Sequence, residues 1–452
     1  MYSRLRSVWR RVFALAWPVM AEQTLRTLMR TVDVAVTAAI SPAAVVAVGL
    51  ADLYARFPLR VGLGLGGGAI SLSSQDTGRG ATATRDEAVT QAILVGALVG
   101  VPFAAFGVLF GADAIRLLGA APDVVRLGGT YLAVVLATAP ARHVALVAAR
   151  SLQGTGDTRT PMYVNAVANV GNVLGSVGLG LGFFGLPELG VLGVGLATAA
   201  GNVFTALALT VAIASGATEA GFARPESAVV TRQLFVVSVP KIAEGLSSTL
   251  AEFPFNAVLL TFGTNVNAAF QVGRRAYQQV TGPLSRGYSV AANVVVGQAL
   301  GEGDPGGARY NGWAVAALGV VTVGAVGVLL AVYARPLVSL LDDTPATLRY
   351  AVPFAQVYGV SAPFLVSFTA LSGALQGASE TRIPLLARAT GMFGFLVGFA
   401  YVAGVALGWG VTAAYWSVGL SNAWMALVVA VGFHYSGWAD RAAGMMAERS
   451  DS

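Results

Sequence analysis

The sequence predicts an all-α integral membrane protein, with twelve transmembrane helices in two homologous six-helix lobes related by a pseudo-twofold axis along the membrane normal. Two observations carry this prediction. Of the 452 residues, 56% are hydrophobic and 11% charged, and mean hydropathy is +0.70, so too little polar surface exists to cover a water-soluble globule. The chain also repeats itself roughly 222 residues apart. Residues 13–22, Phe-Ala-Leu-Ala-Trp-Pro-Val-Met-Ala-Glu, and 235–244, Phe-Val-Val-Ser-Val-Pro-Lys-Ile-Ala-Glu, align Pro18 with Pro240 and Glu22 with Glu244. Further along, Gln75 answers Gln298, and Leu152-Gln153-Gly154 with Asp157-Thr158-Arg159 and Pro161 answers Leu375-Gln376-Gly377 with Glu380-Thr381-Arg382 and Pro384. Duplication in so apolar a chain marks a transporter.

Each span rests on an apolar run that meets the ~20 residues needed to cross a ~30 Å hydrocarbon core. The first lobe, 1–216, opens with span 12–40, which contains Pro18, and continues with 44–74, ending in the glycine-rich run Gly62–Gly68 before Gln75. Spans 88–111 and 126–150 follow; 160–183 starts at the Gly-Asp-Thr-Arg-Thr-Pro turn, and 190–215 closes the lobe. A polar linker at 217–233, with Glu219, Arg224, Pro225, Glu226 and Arg232, suits a crossover between lobes. The second lobe, 234–437, repeats the order: 234–262 around Pro240, 266–299 ending at Gln298, 308–334, 346–374, 383–407 after the second Gln-Gly turn, and 411–436. Residues 438–452 read as a short, polar, solvated cytoplasmic tail. An even number of helices per half makes the repeats parallel. Helices rather than a barrel follow from the run lengths. The glycine runs lack the Gly-Lys-Ser/Thr ending of a phosphate loop and read as close helix packing.

The net charge of +6 does not point to nucleic acid, because the arginines divide by membrane side. Arg4, Arg6, Arg10, Arg11, Arg79, Arg85, Arg159, Arg224 and Arg382 fall on one side of an alternating topology, and mainly Arg116, Arg126, Arg335 and Arg349 on the other. This bias places both termini in the cytoplasm of a multi-pass cell-membrane protein. A twin-arginine signal at Arg10-Arg11 is disfavoured, since Glu22, Arg26 and Arg30 interrupt any apolar leader. With no cysteine, two histidines and no Ser/His/Asp or HExxH pattern, the sequence offers no enzyme constellation.

The words Leu152-Gln-Gly-Thr-Gly-Asp-Thr-Arg-Thr-Pro-Met162 and Val296-Gly-Gln-Ala-Leu-Gly-Glu-Gly-Asp304, with Pro18 and Asp33 in the first span, resemble those of the multidrug and toxic compound extrusion (MATE) family over essentially the whole chain. The resemblance implies a secondary antiporter that exports organic cations or amphipathic drugs in exchange for Na⁺ or H⁺ by alternating access. No cofactor beyond that ion is expected, and the partners implied are a small-molecule substrate and the bilayer, for a monomer. It also implies a cation-responsive carboxylate in the first span and an Asn-x-x-x-Asp pair in the fifth. Asp33 and Asn172 match, as a possible Na⁺ pair, but Ser176 stands where the pattern has Asp. A flippase for lipid-linked saccharides, from the wider superfamily, is the alternative that arginines in spans 1, 2 and 8 would suit.

Ionisable groups inside a span are costly, and each is a functional candidate. In the first span Glu22, Arg26, Arg30 and Asp33 share one helical face, either as a self-neutralising ladder or with Asp33 exchanging Arg30 for a coupling ion. The second span repeats the style with Asp52, Arg56 and Arg60, and the eighth carries Arg274, Arg275 and Arg286. In the seventh, Glu244 is the repeat of Glu22, whereas Glu252 falls opposite Arg30. That asymmetry makes Glu252, read as unpaired, the better coupling candidate or a counter-charge for a cationic substrate. Asn165, Asn169 and Asn172 form a polar stripe that offers amide oxygens to Na⁺ or hydrogen bonds to a neighbouring helix. The coupling candidates are thus Asp33, Asn172, Ser176, Asn169, Glu22, Glu244 and Glu252. Arg26, Arg30, Thr198, Asn202, Tyr277 and Gln278 are the substrate-cavity candidates, with the ring faces of Phe253, Phe255, Phe270, Tyr358 and Phe364 available to a cation. His143, beside Arg142, reads either as a group that titrates near neutral pH or, as a lone histidine more often is, as a satisfied packing residue.

Overall fold

A computed structural model describes residues 2–451, and every regular element among them is helical. The first half holds α1 (Tyr2–Ile40), α2 (Pro42–Gly78), α3 (Thr82–Leu117), α4 (Pro122–Ala137), α5 (Ala139–Thr155), α6 (Arg159–Leu181) and α7 (Val191–Ala214). The second holds α8 (Ala228–Thr261), α9 (Thr264–Gly301), α10 (Pro305–Val332), the short α11 (Ala334–Ser339), α12 (Pro345–Gly377), α13 (Arg382–Ala389), α14 (Val411–Tyr435) and α15 (Trp438–Ser450). From Thr390 to Ala406, α13 continues in wider π-type turns. Among the described residues nine helices are long and apolar enough to cross a membrane, and α4 with α5 forms a tenth span bent by 48°. The charged stripes of α1 and α9 keep these two off that apolar set; with them the chain has twelve spans, six per half.

The bend corrects the expectation of one continuous helix at 126–150. Pro140, in the first turn of α5, has no N–H to give a preceding carbonyl, so the chain breaks at Thr138. The tail is corrected too. Residues 438–450 form α15, with Trp438, Ala442, Met446 and Arg449 buried. These residues lie four, four and three apart, a one-sided stripe that average composition conceals.

Two compact units emerge: residues 21–73 with 81–238, and the chain up to Met20 with Ser74–Gly80 and Val239–Asp451. In the first unit small residues let backbones meet. Along α3, Gly96, Gly100, Gly107 and Gly111 face α4 and α5; a Cβ at Gly100 would collide with the Pro140 backbone, and one at Gly107 with the Leu136 side chain. The opposite side of α3 exposes Leu94, Leu98, Val108 and Leu109, as expected for a helix whose outer solvent is hydrocarbon. Residues of the 217–233 linker lie against the start of α3. The Asp86 carboxylate accepts from Gly221 N (2.9 Å), that of Glu87 from Glu226 N (2.8 Å) and Ser227 N (2.6 Å), and Thr90 Oγ1 from Ala223 N (3.1 Å).

In the second unit, Gly327 of α10 and Gly359 of α12 pack reciprocally, each with the other's carbonyl oxygen pressed against the position a Cβ would take. A second reciprocal contact joins the ends of α2 and α9. A Cβ at Gly78 would overlap the Gln298 carbonyl oxygen, and one at Gly301 that of Gln75. Since 75 and 78 are the repeats of 298 and 301, the duplication shows in the contact itself. Both echoed glutamines are held by arginine: Arg11 donates to Gln298 Oε1 (2.5 Å) and Arg449 of α15 to Gln75 Oε1 (2.9 Å). Arg449 also pairs with buried Asp76 (3.0 Å), as does Arg79 (2.7 Å).

Candidate ion-coupling site

In the first unit α1, α6 and α7 bring four sequence candidates together. Ser176 Oγ, fully buried, donates to Asp33 Oδ1 at 2.8 Å. The Asn172 amide, oriented to satisfy both neighbours, donates to the same oxygen at 3.2 Å and accepts from Thr198 Oγ1 at 3.3 Å. Asp33 is half-buried, whereas Asn172 is only 4% exposed. The register explains the convergence: Asn172 and Ser176 are one turn apart on α6, and both point at the α1 carboxylate. Asn169, nearly one turn earlier, has a buried amide nitrogen with no protein partner. Asn202 sits a turn beyond Thr198 and donates to Thr138 Oγ1 (3.1 Å) at the α4–α5 break.

Nearer the start of the stripe, buried Glu22 pairs with Arg26 at 3.2 Å, and Arg26 also donates to Asn165 Oδ1 at 3.2 Å. The ladder is therefore half realised. Glu22 and Arg26 pair, while Asp33 takes its hydrogen bonds from α6. Arg30, exposed at its rim, lies within electrostatic reach of Asp33 and Asp52. Asp52 of α2 lies in the electrostatic field of Arg30, Arg142 and Arg56. His143 is wholly buried with Nε2 2.8 Å from the Pro58 carbonyl oxygen, a packing arrangement.

The second unit is built differently at matching positions. Glu244 is buried and takes Lys241 at 2.8 Å and Arg388 at 3.6 Å. Arg388 falls at the repeat of Asn165, so a cation beside the echoed glutamate comes from the equivalent of α6 as well as from its own helix. Sequence reading missed Arg388; the repeat offset was the signal that could have found it. Glu252 is not unpaired: Arg274 of α9 meets it at 2.6 Å. A lone-sequence reading sees the glutamate and the arginine but not their pairing, because the partner lies on the next helix. Arg30 and Asp52 stand 22 residues apart, as do Glu252 and Arg274, at repeat positions with inverted charge. Around Glu252, Asn256 accepts from Gln271 (3.0 Å). Tyr277 is 2% exposed and stacks on Tyr358 (5.2 Å), Phe255 and Phe270 pack in the core, and Gln278, Phe253 and Phe364 are exposed.

Duplicated six-helix halves with buried ion pairs at equivalent positions define a membrane transporter built by gene duplication. The MatE family profile matches residues 18–178 and 240–402, once in each half. The probable multidrug resistance protein NorM of Rhodopseudomonas palustris is 29% identical over 402 residues, covering 86% of this chain and 83% of that protein. That of Burkholderia mallei is 34% identical over 351 residues, covering 72% and 73%. Among solved structures, a MATE transporter in the straight conformation superposes with a TM-score of 0.87 at 20% identity over 97% of this chain and 96% of its own. An outward-facing multidrug resistance MATE transporter gives 0.86 at 20% identity over 97% and 96%. The chain belongs to the MatE family of multidrug and toxic compound extrusion transporters.

Proposed function

We propose that this chain is a proton-coupled antiporter of the cell membrane, monomeric and with cytoplasmic termini, that exports amphipathic small molecules by alternating access with Asp33 as its coupling group. The observation that carries the reading is the polarity of the Asp33 contacts. The Ser176 hydroxyl donates to Asp33 Oδ1 at 2.8 Å. A hydroxyl donor suits a carboxylate, whereas Na⁺ needs a set of several oxygen acceptors. Ser176, where a second carboxylate would stand in the familiar pattern, supplies no further negative charge. A proton needs no such cage. Protonated Asp33 becomes a donor, and the contacts that join α1 to α6, and through Asn172 to α7, have to be remade around it. Proton binding and helix position are thereby linked.

In proteoliposomes with independently imposed gradients, a pH gradient is expected to drive export of an amphipathic dye, while a Na⁺ gradient at equal pH leaves it near background. Asp33→Asn should abolish the pH-driven component. A Na⁺-driven flux that Asp33→Asn leaves intact would exclude this assignment and return the coupling role to Glu252 or Glu244.

A further inference from the structure

The echoed glutamate of the second half gathers more positive charge than it neutralises. Glu244 on α8 is buried, and two cations from different helices meet it: Lys241, nearly one turn before it, at 2.8 Å, and Arg388 of α13 at 3.6 Å. At the repeat positions of these cations the first half has Val19 and Asn165, neither of them charged. Among the described residues Glu244 is the carboxylate that pairs with both, and neither cation has a second, so the cluster holds one positive charge in excess.

Its hydrogen-bond donors are in excess as well. An ammonium has three N–H donors and a guanidinium five. Lys241 gives one, to Glu244 Oε2. Arg388 stands beyond hydrogen-bond distance of Glu244 Oε1, and its guanidinium carbon lies 4.3 Å from the centroid of the Phe368 ring, which is fully buried on α12. Contact with the ring holds the guanidinium in place and leaves N–H donors for another partner. Both cationic side chains stay partly open, Lys241 by 24% and Arg388 by 20%, whereas that of Glu244 is 6% open. The accessible side of the cluster is therefore its cations, with the carboxylate behind them.

Surplus charge and unused donors inside a span are costly. One cation on one carboxylate would do the structural work with less desolvation. An oxyanion would remove both costs, because it supplies the missing charge and accepts charge-assisted bonds from an ammonium and a guanidinium together. We propose that Lys241 and Arg388 form an anion-binding site, in which Glu244 holds the two cations side by side and the carboxylate, sulfonate or phosphate of a bound molecule is their second partner. A soluble organic anion and a phospholipid headgroup share this chemistry. The site stands whether or not Asp33 is the coupling group.

The test measures thermal midpoints of the purified full-length protein in detergent micelles at constant ionic strength. The probes are benzenesulfonate, its neutral analogue benzenesulfonamide, and phosphatidylglycerol against phosphatidylcholine. Benzenesulfonate or phosphatidylglycerol is expected to raise the midpoint of the wild type, and Lys241→Gln and Arg388→Gln should each remove that rise. A response to benzenesulfonate assigns the site to a soluble anion, and a response to phosphatidylglycerol alone assigns it to a lipid headgroup. Calorimetric titration of the effective probe should show each of these variants binding at least about tenfold more weakly, the scale of one charge-assisted hydrogen bond. Glu244→Gln removes the resident carboxylate and keeps both cations, so the same probe should raise its midpoint by more than it raises that of the wild type. If a neutralised variant fails to fold, Arg388→Lys, which keeps the charge and loses the fork, should give an intermediate rise. No rise with either anionic probe, an equal rise with benzenesulfonamide, or a rise indifferent to all the substitutions would overturn the proposal.

Discussion

The behaviour of Asp33 turns on a single substitution already present in the sequence, Ser176 at the place of a second carboxylate. The Ser176 hydroxyl reaches Asp33 at 2.8 Å from a fully buried position. Ser176→Ala should therefore leave a poorly solvated carboxylate edge, cost about 1–3 kcal/mol of that contact, and shift the pH dependence of transport without abolishing it. Ser176→Asp should do something different. By placing a second carboxylate beside Asp33 and Asn172 it creates an oxygen-rich site, and transport should acquire a dependence on Na⁺, measured as flux against Na⁺ at fixed pH. How much of this was legible in the sequence is uneven. Asp33, Asn172, Ser176 and Thr198 all stand in the sequence as candidates, but only the fold brings Thr198, read there as a substrate-cavity residue, against Asn172, since a loop that no spacing rule crosses separates α6 from α7. Glu252 shows the converse: an apparently lone glutamate whose partner, Arg274, is 2.6 Å away on the following helix.

Elements in this chain are shaped by what sits at their contact faces. The long apolar runs made helix positions readable, and the repeat fixed their order, because a 20-residue apolar segment has few alternatives in a bilayer. The break in the fourth span and the burial of α15 were harder to see. A proline can kink, break or be tolerated, and the Trp438, Ala442, Met446 stripe is diluted by charged neighbours. At the α10–α12 contact, Gly359→Ala would set a Cβ 2.5 Å from the Gly327 carbonyl oxygen. Because that neighbour is backbone, the helices must separate, and an overpacking cost of about 1–3 kcal/mol should appear as a lower thermal midpoint of the purified protein. Gly171, with nothing near its Cβ direction, should accept the same change without loss.

Across the molecule, the two halves keep the same landmarks and fill them with different charges. Glu22 and Glu244 are each buried and paired, one with Arg26, the other with Lys241 and Arg388. Replacing Glu244 by Gln leaves two cations without their shared carboxylate, and a loss of about 3–5 kcal/mol is expected for breaking a buried pair from one side. Arg388→Gln in the same chain should recover part of it, because the stranded charge is removed; thermal unfolding of the single and double variants measures the recovery. Positions such as Gln75 and Gln298, with Gly78 and Gly301, keep both identity and contact, as expected of framework. Arg30 with Asp52, against Glu252 with Arg274, keeps place and inverts sign, which is where the halves have acquired separate tasks. The coupled proton assigned to Asp33 can be counted by adding substrate to the purified protein in weakly buffered solution and measuring the protons released. At an acidic pH where Asp33 carries its proton, the wild type and Glu252→Gln should release up to about one proton per bound substrate, and Asp33→Asn none; an undiminished release from Asp33→Asn would contradict that assignment.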